Sequence, residues 1–283
     1  MAVTLIADSG ATKCEWCLLS NNTKKIVLTT GINPYFLSGA QIISLLQQEL
    51  LPALGSMLPQ QVFFYGTGLG NEDNAKTIRN VLKQLFPEAN LSVNTDILAA
   101  ARAACGNQKG MVCILGTGSN TCYYNGKRIA KNIAGIGYVL GDEGSGAYLG
   151  KKVVQHYLYN TFDEDLRARF DAAFATTPKE ILENVYSKPL PNRYLAAFTM
   201  FLAQNRGHYM VENLLEDGLN DFFFQHLCKF KESWTLPIHF AGGVAFGFQD
   251  VLKQLCELYK WELGSVLQNP MPGLINFHLN KTL

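Results

Sequence analysis

Three short apolar segments of this chain each run into a turn of small residues, and this repeated pattern constrains the fold more than any other feature. The segments are VTLIADSGATK (3–13), VCILGTGSN (112–120) and IHFAGGVA (238–245). Short apolar runs bounded by glycine indicate buried strands. Each turn alone is also typical of a tight hairpin. Three of them, spread over both halves of the chain, favour a nucleotide site, because glycine-rich turns can present main-chain amides to a phosphate.

The order of the predicted elements indicates two α/β domains. Strands are predicted at 3–7, 15–19 and 24–30, and strand–helix alternation follows as far as an alanine-rich helix at 96–105. After Gly106 the plan starts again, with strands at 111–115 and 121–124, a helix-rich region and a strand at 238–240. Such alternation is typical of α/β folds. We therefore expect a domain at 1–110 and a second at 111–283 with a helical insertion, with the last helix free to pack back on the first domain.

Composition narrows the possible partners. Almost half of the residues are apolar, 17% are charged and the formal net charge is +1. A charge this small provides no broad field for nucleic acid, so no nucleic-acid partner is expected. The sequence has no run of about 20 apolar residues, as a membrane-spanning helix needs, and no basic leader at its start. We expect no membrane association and a cytoplasmic location.

The seven cysteines are expected to be free thiols. Their number is odd and no disulfide spacing repeats. Cys14 and Cys17 form a C-x-x-C pattern, but they fall in a predicted strand without a second pair or a nearby histidine. Buried small side chains are the favoured interpretation, and a metal or redox site is the alternative.

The usual nucleotide-binding motifs are missing. The sequence contains neither G-x-x-x-x-G-K-[ST] nor G-x-G-x-x-G. A nucleotide would therefore have to bind to the hairpin turns, where hydroxyls add further donors: Ser9, Thr12, Thr117 and Ser119.

Five segments, taken in order, carry a family resemblance over essentially the whole chain. They are ADSGATK, NTDILAAARAA, LGTGSN, GIGYVLGDEGSGAYLGK and FAGGVA. Together they resemble the sugar kinase/actin/Hsp70 ATPase superfamily, and within it the N-acetylglucosamine kinases of the BadF/BadG/BcrA/BcrD ATPase family. The resemblance implies two RNase H-like domains that close on ATP and a sugar in a cleft between them.

The resemblance also implies residues that bind the nucleotide and its metal. Asp8 would hold Mg²⁺ through water, which suits a cation that keeps much of its hydration shell. An aspartate that starts a turn is the alternative. Gly10, Thr12 and Lys13 would form the first phosphate loop. The second phosphate loop would consist of Gly116, Thr117 and Gly118, and Gly242 and Gly243 would lie against adenosine.

Asp96 is implied as the catalytic base. It begins the alanine-rich helix, where the positive end of the helix dipole favours an ionised carboxylate. An ionised carboxylate can accept the proton of an attacking hydroxyl. Aspartate is also a common residue at helix starts, so a purely structural role stays open. Asn33, Gly118 and Asp142 are implied on the sugar side, and Glu143 is a weaker candidate.

One departure from the family pattern bears on specificity. Animal glucosamine kinases carry a tryptophan in the G-x-G segment before GDEGS, and this chain has Ile136 and Tyr138 in that neighbourhood. The expected substrate is N-acetylglucosamine or a relative such as N-acetylmuramic acid, phosphorylated at O6, and a homodimer is left open. Two other functions from the same superfamily remain: an ATP-driven electron-transfer activator of a dehydratase or benzoyl-CoA reductase system with a [4Fe–4S] cluster, and a non-catalytic sugar sensor.

Overall fold

The computed structural model describes residues 3–10, 12–20 and 23–279, without the side chain of Thr23. The chain forms two compact units, which are treated separately below. Unit 1 comprises Met1–Asn107 and Asn269–Leu283, and unit 2 comprises Gln108–Gln268.

The sheet of unit 1 has five strands in the order β3-β2-β1-β4-β5. β1 pairs antiparallel with β2, which pairs antiparallel with β3, while β1–β4 and β4–β5 are parallel. The carboxyl ends of β1, β4 and β5 therefore share one edge of the sheet. The strands are β1 Thr4–Ser9, β2 Lys13–Ser20, β3 Thr23–Thr30, β4 Gln61–Gly66 and β5 Asn90–Thr95.

Helices cover both faces of this sheet, as alternate side chains of its strands require. Leu5 and Ala7 contribute to the core on one face, and Ile6 contributes to the core on the other. The helices that follow the strands begin at polar caps, with Ser38 in a capping box and Asn71 accepting two main-chain hydrogen bonds. They are α1 Gly39–Glu49, α2 Leu51–Leu54, α3 Glu72–Leu85 and α4 Asp96–Cys105.

Unit 2 repeats the topology of unit 1. Its sheet has the order β10-β9-β6-β7-β8, with β6–β7 and β7–β8 antiparallel and β6–β9 and β9–β10 parallel. The two cycles of elements predicted from the sequence are thus confirmed as two sheets of the same strand order. The strands are β6 Lys109–Leu115, β7 Ser119–Asn125, β8 Ile129–Ala134, β9 Ile238–Ala241 and β10 Leu263–Leu267.

A large helical region packs on the sheet of unit 2. Its core is rich in aromatic rings, such as Phe170, which stacks on Phe198 at 5.8 Å between centroids. Two 3₁₀ turns, Leu227–Lys229 and Lys231–Trp234, precede β9. The helices are α5 Gly146–Leu158, α6 Glu164–Phe174, α7 Pro178–Tyr186, α8 Pro191–Ala197, α9 Thr199–Gln204, α10 Tyr209–Gln225, α11 Gly243–Gly247 and α12 Gln249–Tyr259.

The last helix, α13 (Met271–Leu279), belongs to unit 1. Its glycine, Gly273, lies so close to α4 that a Cβ there would be 2.4 Å from the carbonyl oxygen of Ala103. His278 Nε2 lies 2.9 Å from the buried hydroxyl of Tyr65, which also accepts a hydrogen bond of 2.7 Å from Arg102. These contacts pack the end of the chain against the face of the sheet that α4 covers.

Cys14 and Cys17 do not form a metal or redox pair. They lie three residues apart on β2, so their side chains lie on opposite faces of the sheet, in separate cores. All seven cysteines are free, as the sequence predicts. Within 3–10, 12–20 and 23–279, no three histidine, cysteine, aspartate or glutamate side chains are grouped as metal ligands, and no helix is both long and apolar enough to cross a bilayer.

Candidate active site

Asp8 lies near the carboxyl end of β1, opposite Glu15 on β2 and Tyr65 on β4. Its side chain is partly exposed. Burial of the carboxylate and, to a smaller extent, the negative charges of Asp96 and Glu15 raise the pKa of Asp8 to about 7, and Lys13 opposes them. A carboxylate in this setting is costly to ionise unless a cation approaches it.

Asp96 is placed by the end of β5, because it is the first residue of α4 and directly follows that strand. Burial raises the pKa of Asp96 to about 6, although hydrogen bonds from the main chain of Ile97 and the hydroxyl of Thr67 stabilise the ionised form. The Ile97 amide donates to Oδ1 of Asp96 at 2.7 Å. Because the neighbouring strands are parallel, Asp8, Thr67 and Asp96 come together at one edge of the sheet.

The carboxylate of Asp8 fits a hydrated Mg²⁺. Magnesium is usually held by one or two protein carboxylates, with water and substrate phosphates completing its shell. Asp8 accepts no hydrogen bond from the residues that the structure describes, so both of its oxygens remain available. The raised pKa of Asp8 indicates a charge that the protein alone leaves poorly compensated.

The turn after β1 carries the first predicted phosphate loop. The amide of Gly10 donates to the carbonyl of Lys13 at 3.0 Å, and Gly10, Thr12 and Lys13 are all exposed. A Cβ at Gly10 would meet nothing closer than 3.7 Å. Packing therefore does not require glycine here. One hydroxyl of the expected set is used internally: Ser9 is fully buried, donates to the carbonyl oxygen of Ile32 at 3.1 Å and accepts from the amide of Ile32 at 2.9 Å, so it is unavailable as a phosphate donor.

Asn33 lies beside the turn after β4. Its Oδ1 accepts a hydrogen bond of 3.0 Å from the amide of Tyr35, while its side-chain NH₂ donates to no described residue. Gly68 has a φ of +76°, and a Cβ on it would lie 3.0 Å from the ring of Tyr35 and 3.4 Å from Oδ1 of Asn33. Asn33 therefore lies close to Gly68, and the residue before Gly68, Thr67, hydrogen-bonds to Asp96.

In unit 2, two glycine turns lie side by side after the parallel strands β6 and β9. Gly242 has a φ of +116°, and a Cβ there would be 2.3 Å from the carbonyl oxygen of Leu115. Gly116 is bonded internally, since its amide donates to the carbonyl of Gly118 at 3.0 Å. The amides of Thr117 and Gly118 donate to no described residue. Gly243 has open space at its Cβ position, so this edge presents free main-chain donors and little side-chain bulk.

Asp142 lies against the first of these turns. It adopts a left-handed conformation with φ of +55°. A Cβ on Gly118 would be 3.0 Å from its carboxylate, and the Gly137 amide donates to it at 3.2 Å. Burial raises the pKa of Asp142, Glu143 adds to the rise, and hydrogen bonds from the main chain of Gly137 and Ser119 oppose it. The GTG and GDEG segments, separate in the sequence, are therefore in contact in the fold.

Solved structures of other proteins share the fold of this chain. The chain matches no known family model and no curated protein. It is 39% identical to a proposed N-acetylglucosamine kinase from Porphyromonas gingivalis, with 99% of this chain and 100% of that one covered and a TM-score of 0.94. A proposed N-acetylglucosamine kinase from Chromobacterium violaceum shares 20% identity over 98% and 99%, at a TM-score of 0.70. A ROK family glucokinase from Streptomyces griseus, solved with glucose and AMPPNP, shares 15% over 97% of each chain, at 0.55.

The last two likenesses show the fold, which this chain shares with proteins described as sugar kinases. The likeness to the Porphyromonas gingivalis protein shows the family as well as the fold, because it combines 39% identity with coverage of nearly both whole chains. This chain belongs to the same family of sugar kinases as the Porphyromonas gingivalis protein.

Sequence reasoning missed four residues that contribute to these surroundings. Thr67 and Gly68 follow a predicted strand in GTGLG, a pattern like the phosphate turns, so a signal was present. Tyr35 follows Asn33 by two residues but carries no motif of its own. His226 is remote from the motifs in sequence, and only the fold brings it to Glu143.

Proposed function

We propose that the protein transfers the terminal phosphoryl group of ATP to a hydroxyl of an N-acetylated amino sugar. N-acetylglucosamine and N-acetylmuramic acid are the leading substrates, and O6 is the acceptor atom. The observation that carries the proposal is the carboxylate pair Asp8 and Asp96 beside Asn33, at one edge of the sheet of unit 1. The 39% identity to a proposed N-acetylglucosamine kinase, over nearly the full length of both chains, supports the sugar class. The motifs favour the BadF/BadG/BcrA/BcrD branch of the superfamily.

Asp96 is the proposed general base. The sugar hydroxyl attacks the terminal phosphorus, an O–P bond forms, the bond from that phosphorus to the bridging oxygen of ADP breaks, and the hydroxyl proton passes to Asp96. The hydrogen bonds from Ile97 and Thr67 hold this carboxylate in place. Its pKa of about 6 leaves it ionised at neutral pH and still basic enough to accept the proton.

The remaining groups bind and orient. Asp8 would hold Mg²⁺, which when bound neutralises charge on the transferring phosphates. The exposed loop with Gly10, Thr12 and Lys13 and the free amides of Thr117 and Gly118 suit phosphate oxygens. Gly243 leaves room for adenosine beside Gly242, whose close packing on Leu115 fixes the turn, and Asn33 and Asp142 offer hydrogen bonds to sugar hydroxyls.

A coupled assay of ADP formation tests the proposal. The sugars to compare are glucose, glucosamine, N-acetylglucosamine, N-acetylmannosamine and N-acetylmuramic acid, each with Mg-ATP. We expect one N-acetylated sugar to stimulate ADP formation strongly and ³¹P–¹H correlation spectra of the product to show a phosphate on O6. If no sugar stimulates ADP formation, the proposal is wrong, and a sugar sensor becomes the better interpretation.

A further inference from the structure

The turn that carries Asp142 is supported from beneath by the end of helix α10. His226 follows the last residue of α10 and is 4% exposed. Its Nε2 lies 3.2 Å from Oε2 of Glu143, the residue after Asp142. The imidazole stacks on Phe222, one turn earlier in the helix, at 4.7 Å between centroids and 21° between planes.

Phe222 also makes a close contact with the turn. Gly144 has a φ of +69°, and a Cβ there would lie 2.8 Å from Cβ of Phe222. His226 and Phe222 thus contact consecutive positions of the GDEG segment, Glu143 and Gly144. Asp142, immediately before them, is held at a φ of +55°. A non-glycine residue keeps such a conformation only when its surroundings enforce it.

The hydrogen-bonding pattern defines the form of the histidine. Nδ1 of His226 is buried and has no partner among the described residues. A proton on Nδ1 would therefore be a buried donor without an acceptor, which is costly. The neutral ring with its proton on Nε2 satisfies the geometry, because that N–H donates to the carboxylate of Glu143.

We infer that His226, acting through Glu143, is a positioning residue that holds the carboxylate of Asp142 toward the sugar. This inference rests on the proposed function and adds a residue to it. His226 touches no reacting atom in this arrangement. Its effect should appear in sugar binding and in the order of the loop, and the affinity for ATP should change little.

Four variants test the inference. His226→Phe keeps the ring on Phe222 but removes the hydrogen bond, and His226→Gln keeps a donor. Glu143→Ala removes the acceptor from the other side. The matched control is His208→Phe at the opposite end of α10, where Nε2 lies 3.1 Å from Asp163, so that a histidine–carboxylate contact is lost away from the site.

Steady-state kinetics with the best N-acetylated sugar give the first measurement. Loss of a hydrogen bond to a charged group corresponds to a rise of about tenfold in the KM for sugar in His226→Phe and Glu143→Ala. The KM for ATP should stay within about twofold, and His226→Gln should recover most of the loss. A KM for sugar that is unchanged in both His226→Phe and Glu143→Ala would overturn the inference, as would an equal rise in the His208→Phe control.

Amide hydrogen exchange over residues 135–146 provides a measurement that does not depend on activity. We expect faster exchange in His226→Phe, and especially at Gly137, whose amide donates to Asp142. Exchange that matches the wild type would show that His226 does not order the turn. Faster exchange in a protein that forms no ADP with any sugar would instead refute the proposed function while the anchoring role stands. If His226→Phe does not fold, Glu143→Ala decides both measurements.

Discussion

The charge of Asp96 raises the pKa of Asp8, although the two residues are 88 positions apart in the sequence. They meet because β1 and β5 are parallel to the strand between them, β4, and all three end at the same edge of the sheet. The arrangement concentrates negative charge at the edge of the sheet, where one carboxylate would hold the Mg²⁺ of Mg-ATP and the other would accept the proton of the attacking hydroxyl.

Replacing Asp96 by asparagine should lower kcat by about two to four orders of magnitude, the usual contribution of a general base. The KM for sugar should change by only a few fold, because asparagine keeps the size and one acceptor. Asp73→Asn is the matched control, since Asp73 lies in the first turn of α3 but is exposed. Wild-type rates in Asp96→Asn would show that another group accepts the proton.

The rate should fall on the acid side as Asp96 is protonated. Its pKa of about 6 in the folded protein means that the base is ionised above this value and increasingly blocked below it. A profile of kcat/KM from about pH 5 to 9 should therefore show an acid limb near pH 6. A profile that stays flat well below that pH would argue against Asp96 as the base.

Asp8→Asn should abolish most of the Mg²⁺-dependent activity and yet stabilise the free protein at alkaline pH. The pKa of Asp8 is raised to about 7, so the fold favours the protonated carboxyl, and stability is lost as pH rises through that value. Asparagine removes this loss. The melting temperature of the variant, measured without nucleotide, should exceed that of the wild type by a few degrees at pH 8, and the difference should shrink as the pH falls and vanish below about pH 4, where the carboxyl is protonated in the unfolded chain as well. Lower stability of the variant at pH 8 would contradict this electrostatic account.

Glycine is required for packing at position 242, whereas at position 243 we expect it to be required for ATP binding. Gly242→Ala should destabilise the protein strongly, because its Cβ would collide with the carbonyl of Leu115 at a φ unfavourable for alanine. Gly243→Ala has open space, so it should fold normally and raise the KM for ATP instead. Gly247→Ala, also in open space, is the control. Melting curves and ATP kinetics of the three variants distinguish the effects, and an unchanged KM for ATP in Gly243→Ala would place adenosine elsewhere.

Tyr35 should contribute to sugar binding. Its ring is 62% exposed and lies beside Gly68 and Asn33, where it can pack against the apolar face of a sugar. Tyr35→Ala should raise the KM for sugar about three- to tenfold, in line with the usual strength of aromatic contacts. Phe36→Ala is the control, because Phe36 has the same 62% exposure. Equal effects of the two variants would indicate a general surface effect.

Much of the fold could be predicted from the sequence because it depends on local patterns. Helix α4 begins and ends at the predicted residues, Asp96 and Cys105, and most of the predicted strands lie within a few residues of the observed ones. The two cycles of elements along the chain, the fold class and the free thiols were also predicted. β8, β10 and α13 were not: Lys131 and Asn132 interrupt the apolar run of β8, and Pro270 and Pro272 around the start of α13 read as a helix breaker. Pro272 is accommodated because the first turn of a helix needs no N–H from it.

By itself, the sequence determined which strands end in glycine turns and which acidic residues follow them, because apolar periodicity and glycine spacing are local properties. Only the tertiary structure decided which of these groups act together. The parallel pairing of β1, β4 and β5 brings Thr67 and Asp96 to Asp8, and the burial of Ser9 removes its hydroxyl from the expected donors. His226 reaches Glu143 across 83 residues of sequence for the same physical reason: contacts between distant residues are selected by packing, which no local pattern encodes.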